Sequence, residues 1–123
     1  MARIINNFSK ALILILSVII MGCDCEIDEF SPSVLPDATL NADYDEHIEA
    51  SLSDCSPIFE DYRFVGGNLP PGMSFNYNGR LSGIPRSAGT FHFTIEVYLC
   101  ESEDLFGYYD CLSSTKGFQL TVN

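Results

Sequence analysis

The stretch LPPGMSFNYNGRLSGIPRSAGTFHFTIEV, Leu69 to Val97, sets the architecture. Leu69-Pro70-Pro71-Gly72 is a polyproline-like entry to a tight turn, followed by the alternation of Met73, Ser74 and Phe75. Asn78-Gly79 is a hairpin signal, because both residue types tolerate positive φ. Leu81-Ser82-Gly83-Ile84-Pro85 leads through Ser87-Ala88-Gly89 into the clearest strand of the chain, Thr90 to Leu99. There Phe91, Phe93, Ile95, Val97 and Leu99 share one parity, while His92, Thr94, Glu96 and Tyr98 take the other. Period-two alternation between Gly, Pro and Asn clusters predicts half-buried antiparallel strands.

The same period extends in both directions. His47 to Leu52 puts Ile48, Ala50 and Leu52 on one face and His47, Glu49 and Ser51 on the other. Tyr62 and Phe64 alternate with Arg63 and Val65, and Phe118, Leu120 and Val122 close the chain in the same manner. Several short strands and no helical pattern, in about 100 residues, predict an all-β fold of the sandwich type.

The order of turns and strands resembles the "Putative Ig" family of bacterial surface proteins, related to the cadherin-like and dystroglycan-type domains. Its signature reads roughly LPPGLxLxxxxGxLSGTPxxAGTYxFTVxV, matched here from Leu69 to Val97. The upstream LPDATLNADYDEHIEASL, Leu35 to Leu52, resembles the family's first strands, so the likeness covers Val34 to Asn123. It implies an immunoglobulin-like β-sandwich of about seven antiparallel strands over 34–123, in a family of mostly non-catalytic modules, usually in tandem. One copy is present here, with no internal repeat. Two features depart from the pattern: Ile84 stands where Thr is usual, and YLCESEDLFGYYDC, Tyr98 to Cys111, replaces a short Thr-Asp loop. The second departure tells against the calcium site of cadherin-like relatives, so no cofactor is expected, with calcium as the weak alternative.

Residues 1–22 read as an export leader. Arg3 and Lys10 occur without any acid, and Ala11 to Met21 is an apolar run of eleven, short of the roughly 20 residues of an ordinary span. Ile20-Met21-Gly22-Cys23 resembles a lipobox, which implies lipidation of Cys23 and a bacterial envelope protein held on a membrane by its acyl chains. An uncleaved anchor and a secreted protein cut elsewhere are the alternatives. Asp24 resembles the signal for retention at the inner membrane, on its periplasmic face. Residues 23–33 then read as an acidic tether, ten extended residues of which reach about 35 Å. All 17 acids but only four of the six basic residues follow Cys23, a balance of −13. Such a chain is repelled by phosphate, which excludes nucleic acid as a partner and favours cationic ones.

Cys25, Cys55, Cys100 and Cys111 form an even set in an oxidising setting, so disulfides are expected in one of three connectivities. Cys100 with Cys111 and Cys25 with Cys55 is the preferred set; Cys55 with Cys100 or Cys111 is its rival. Zinc is disfavoured: no CxxC pair occurs, and His47 and His92 sit in no ligand spacing.

In an immunoglobulin-like order, the Ser53 to Asp61 loop, the Cys100 to Cys111 loop and the tether share one pole. Candidate binding residues there are Phe59, Glu60, Asp61, Glu103, Asp104, Phe106, Tyr108 and Tyr109. Rings supply contact area and carboxylates supply orientation, which suits a protein or carbohydrate ligand. The plainer reading has the acids solvating surface loops and the rings capping the core. Catalysis is not expected, since GxSxG, HExxH and P-loop patterns are missing and neither histidine has a nucleophile near it in sequence. The expectation is a lipid-anchored envelope protein with one non-catalytic binding or adhesion module. Alternatives are a small acidic inhibitor or scavenger of a cationic protein, in the role of a lysozyme inhibitor, and a structural element of an envelope assembly.

Overall fold

The computed structural model describes residues 25–101 and 106–123. The leader, Cys23, Asp24, Glu103 and Asp104 lie outside the described residues, and with them the expected lipidation site and two of the candidate site residues.

Eight strands follow in order among the described residues: β1 Glu26–Ser31, β2 Tyr44–His47, β3 Glu49–Ser53, β4 Phe59–Gly67, β5 Met73–Phe75, β6 Arg80–Gly83, β7 Gly89–Cys100 and β8 Cys111–Val122. One layer is the sheet β4-β7-β8; the other comprises β1-β3 and β2-β6-β5, every strand pair being antiparallel. β2 and β3 are two halves of one strand that changes partner at Ile48. The break is local: the Ile48 N–H donates to the Gly79 carbonyl at 2.8 Å instead of to a ladder neighbour. With those halves joined the count is seven, as expected of an immunoglobulin-like sandwich.

The parities predicted for β7 hold. Phe93, Ile95, Val97 and Leu99 are buried together with Phe118, Leu120 and Val122 of β8, while His92 is exposed. From the facing layer come Phe30, Tyr44, Ile48 and Leu81, and Tyr62 reaches in from β4. A row of rings runs inward from the exposed Phe64: Phe64 stacks on Phe93, Phe93 on Phe118, and Phe30 meets Phe118 edge-on, with centroids 5.9–6.2 Å apart.

Two expectations are corrected. The stretch expected as a tether is a strand over Glu26–Ser31: β1 pairs with β3 and buries Phe30. A bulge between Ile27 and Glu29 shifts the parity, so that Ile27 and Phe30, three apart, both serve the core. The expected loop Ser53 to Asp61 is also shorter, because β4 begins at Phe59, opposite Cys100.

Candidate functional site

The pole is held together by disulfides, strand pairing and backbone hydrogen bonds. Disulfides join Cys25 to Cys55 and Cys100 to Cys111, the preferred connectivity. The ladder sets Phe59 opposite Cys100, and the Ile58 N–H donates to the Cys100 carbonyl at 3.0 Å. Across the β7-β8 hairpin, the Glu101 N–H donates to the Asp110 carbonyl at 2.7 Å. The Glu101 carboxylate in turn lies within 4.8 Å of the sulfurs of Cys25 and Cys55. These contacts bring the start of β1, the β3–β4 connection and the β7-β8 hairpin to one end. Cys25, Cys55 and Glu101 have the spacing of a metal cluster, but the two sulfurs are bonded to each other and neither offers a thiolate.

Large apolar side chains are exposed around this end: Ile58 59%, Phe59 48%, Phe106 83%, Tyr108 72% and Tyr109 56%. Single exposed apolar residues are ordinary on a protein surface; here five gather at one end, Ile58 and Phe59 where β4 begins and Phe106, Tyr108 and Tyr109 in the β7-β8 connection. Asp54, Glu101 and Asp110 stand among them in sequence, Asp54 at positive φ in the turn before Cys55.

Strand alternation divides Phe59, Glu60 and Asp61, which the sequence reading grouped. Phe59 and Asp61 take the outer face of the β4-β7-β8 sheet. The Phe59 ring meets Tyr98 edge-on at 6.2 Å, and the Arg63 guanidinium lies 5.0 Å from the Tyr98 centroid while its Nε donates to Asp61 at 3.0 Å. This hydrogen bond raises the already high Arg63 pKa further. Glu60 takes the other parity and accepts a hydrogen bond from the Tyr62 hydroxyl, which itself accepts from the Ala50 N–H at 2.8 Å. Burial, followed by the hydrogen bond to Glu60, raises the Tyr62 pKa well above the ordinary phenol range. Glu60 is thus a partner of the core tyrosine, away from the ring patch. Sequence reasoning missed Ile58, Arg63 and Tyr98. The shared parity of Asp61 and Arg63 was available to find Arg63, whereas Tyr98 required the register of β4 against β7.

The histidine with the richest polar surroundings is His47. Its Nδ1 is 3.0 Å from Glu49 Oε1 and its Nε2 is 2.7 Å from the Asn78 carbonyl oxygen. It lies beside Glu60 and Tyr62, on the flank of the sandwich.

A model of the family described as "Putative Ig domain" matches residues 29–123. The chain belongs to that family. None of the curated proteins matches it. Among solved structures, the Ig domain is similar to part of a protein from Bacteroides fragilis NCTC 9343 titled a "putative alpha-galactosidase", with TM-score 0.52 and 18% identity. The match covers 82% of this chain and 18% of the other, so the Ig domain spans under a fifth of that protein's length. At this identity the likeness is one of fold.

Proposed function

We propose that this chain is a lipid-anchored bacterial envelope protein, held through Cys23, whose Ig domain is a non-catalytic binding module with the disulfide pole as its contact surface. One observation carries the reading: Ile58, Phe59, Phe106, Tyr108 and Tyr109 are exposed at the end where both disulfides hold the loops. A patch of rings on a cross-linked frame presents area without a large ordering cost, which is what recognition requires. The −13 balance after Cys23 supports a second reading, capture of a cationic protein, which predicts binding that weakens steeply with salt.

Two measurements test the proposal. Cells grown with labelled palmitate should label the chain, and Cys23→Ser should abolish the label; equal labelling would remove the anchor. Solubilised full-length protein should retain a defined partner that a Phe106→Ser, Tyr108→Ser, Tyr109→Ser triple variant loses. Equal retention would remove these rings from the contact surface.

A further inference from the structure

The leader, the disulfides and β1 together constrain how the domain sits. Only Asp24 separates Cys23 from Cys25, and Cys25 is bonded to Cys55. Two residues span at most about 7 Å, and the four from Met21 to Cys25 at most about 14 Å. A free ten-residue tether would let the pole turn away from the membrane; with Glu26–Ser31 paired in β1, that slack is gone. An acylated Cys23 and an uncleaved apolar run both end within this distance of the same pole. The opposite pole, where β7 begins and Ile84 is exposed, is about 40 Å away along a strand of 12 residues.

We infer that the apolar group of Ile58 and the four rings of Phe59, Phe106, Tyr108 and Tyr109 is a lipid-seating surface, and that its occupant is the zwitterionic, ammonium-bearing headgroup layer of the membrane that holds the chain. The inference rests on the anchoring reading above. With Cys23 acylated, the short chain between it and Cys25 holds this end beside a bilayer, which makes the membrane the first occupant in reach of the contact surface proposed above. Side chains that combine a ring with a polar tip settle at headgroup depth, as Tyr does at membrane interfaces. Asp54, Glu101 and Asp110, neighbours of these side chains in sequence at the same end, are of the right charge to accept charge-assisted hydrogen bonds from the outermost ammonium of a zwitterionic lipid. The same carboxylates, with the strong negative balance behind them, are repelled by an anionic surface, which selects the lipid class. Ring insertion then fixes the long axis of the sandwich upright, leaving the far pole and the sheet surfaces beyond Phe59 and Tyr98 to the solvent.

The chain contains no tryptophan, so one introduced tryptophan reports alone. Full-length Tyr109→Trp, Ile58→Trp and Ile84→Trp are each reconstituted in phosphatidylethanolamine and phosphatidylcholine vesicles carrying a quencher at headgroup depth. Tyr109→Trp and Ile58→Trp should each lose more than half of their emission and shift to the blue, while Ile84→Trp keeps nearly all of its signal. A flexible Gly/Ser insert of about 20 residues between Asp24 and Cys25 should leave this contrast intact, because the rings seat themselves. Replacing half of the lipid by phosphatidylglycerol should weaken the quenching. Retention on vesicles with equal emission at both poles overturns the inference and leaves the anchor standing; so does loss of the contrast on insertion of the linker. Emission blind to quencher lipid but shifted by a cationic protein overturns it in favour of that partner. Recovery of the protein in the wash removes the anchoring reading and this inference with it.

Discussion

Gly79 and Gly107 adopt nearly the same left-handed backbone, with φ of +89° and +81°, in opposite surroundings. A Cβ on Gly79 would lie 2.2 Å from the Ile48 carbonyl oxygen, and Gly79's own carbonyl accepts the Ile48 N–H. A Cβ on Gly107 would meet nothing within 4 Å among the described residues. The backbone conformation alone costs about 1–2 kcal/mol for an L side chain. Gly107→Ala should therefore destabilise by about 1 kcal/mol, and Gly79→Ala by more than about 2 because the pivot of the second strand must also move. Urea denaturation of the two variants decides this, and equal losses would mean that φ alone sets the cost. Tyr62 offers a companion case. Tyr62→Phe strips the Ala50 N–H of its acceptor and Glu60 of its donor, with an expected loss of about 1–3 kcal/mol. Glu60→Gln, which keeps an acceptor for the hydroxyl, should cost clearly less in the same assay.

At the scale of elements, β1 is the strand that sequence patterning hid, and the Cys25–Cys55 disulfide is what fixes it at the pole. In the chain-entropy description, removing a cross-link of sequence separation 30 costs about 4 kcal/mol and one of separation 11 about 3. The paired substitutions Cys25→Ser, Cys55→Ser should also expose the β1 amides to hydrogen exchange while leaving β7 and β8 protected. Cys100→Ser, Cys111→Ser should loosen the hairpin end without releasing β1. Uniform exchange in both variants would show that β1 does not open as a separate unit. This contrast also explains what was legible. β7 was plain because ten residues, Thr90 to Leu99, alternate without interruption and both its neighbours lie in one sheet. β1 was opaque because the Ile27/Glu29 bulge breaks the period within an acidic hexapeptide. The partner change at Ile48 left no mark on the pattern: Ile48, Ala50 and Leu52 keep one parity while the neighbour switches from β6 to β1. At the pole, the gathering of the four cysteines and of the rings could be read from loop placement, whereas the pairing could not, because every connectivity was local to that end and loop entropy did not separate the preferred set from its rival. The separation of Glu60 from Phe59 and Asp61 could not, because it depends on where β4 starts.

For the molecule as a whole, two buried phenols and a large negative balance act in the same direction in alkali. The Tyr44 hydroxyl donates to the Pro36 carbonyl at 2.8 Å, and burial, aided by the charges of Glu46 and Asp37, pushes its pKa up to about 12. Tyr62 is raised further, by burial and then by its bond to Glu60. A group whose folded pKa lies above its unfolded value contributes stability that is complete below the unfolded pKa. Here that contribution is present up to about pH 10, the ordinary phenol value, and is lost as pH climbs through 12, since the unfolded chain ionises first. Asp45 behaves in the opposite sense. Its hydrogen bond with Arg80 lowers its pKa, so its contribution is present above the ordinary carboxylate range and fades as pH falls below it. Because Asp45 is exposed, the acid limb should be shallow, whereas the alkaline limb should be steep. Tyr44→Phe separates the phenol from the net charge. The variant should lose about 1 kcal/mol at pH 7 through the missing bond to Pro36, yet the gap to the parent should close between pH 10 and 12. Added salt, which screens the self-repulsion of the −13 balance, should raise both melting curves together without altering where they converge. A gap that stays constant from pH 7 to 12 would place the alkaline loss in charge repulsion alone, and salt would then abolish it.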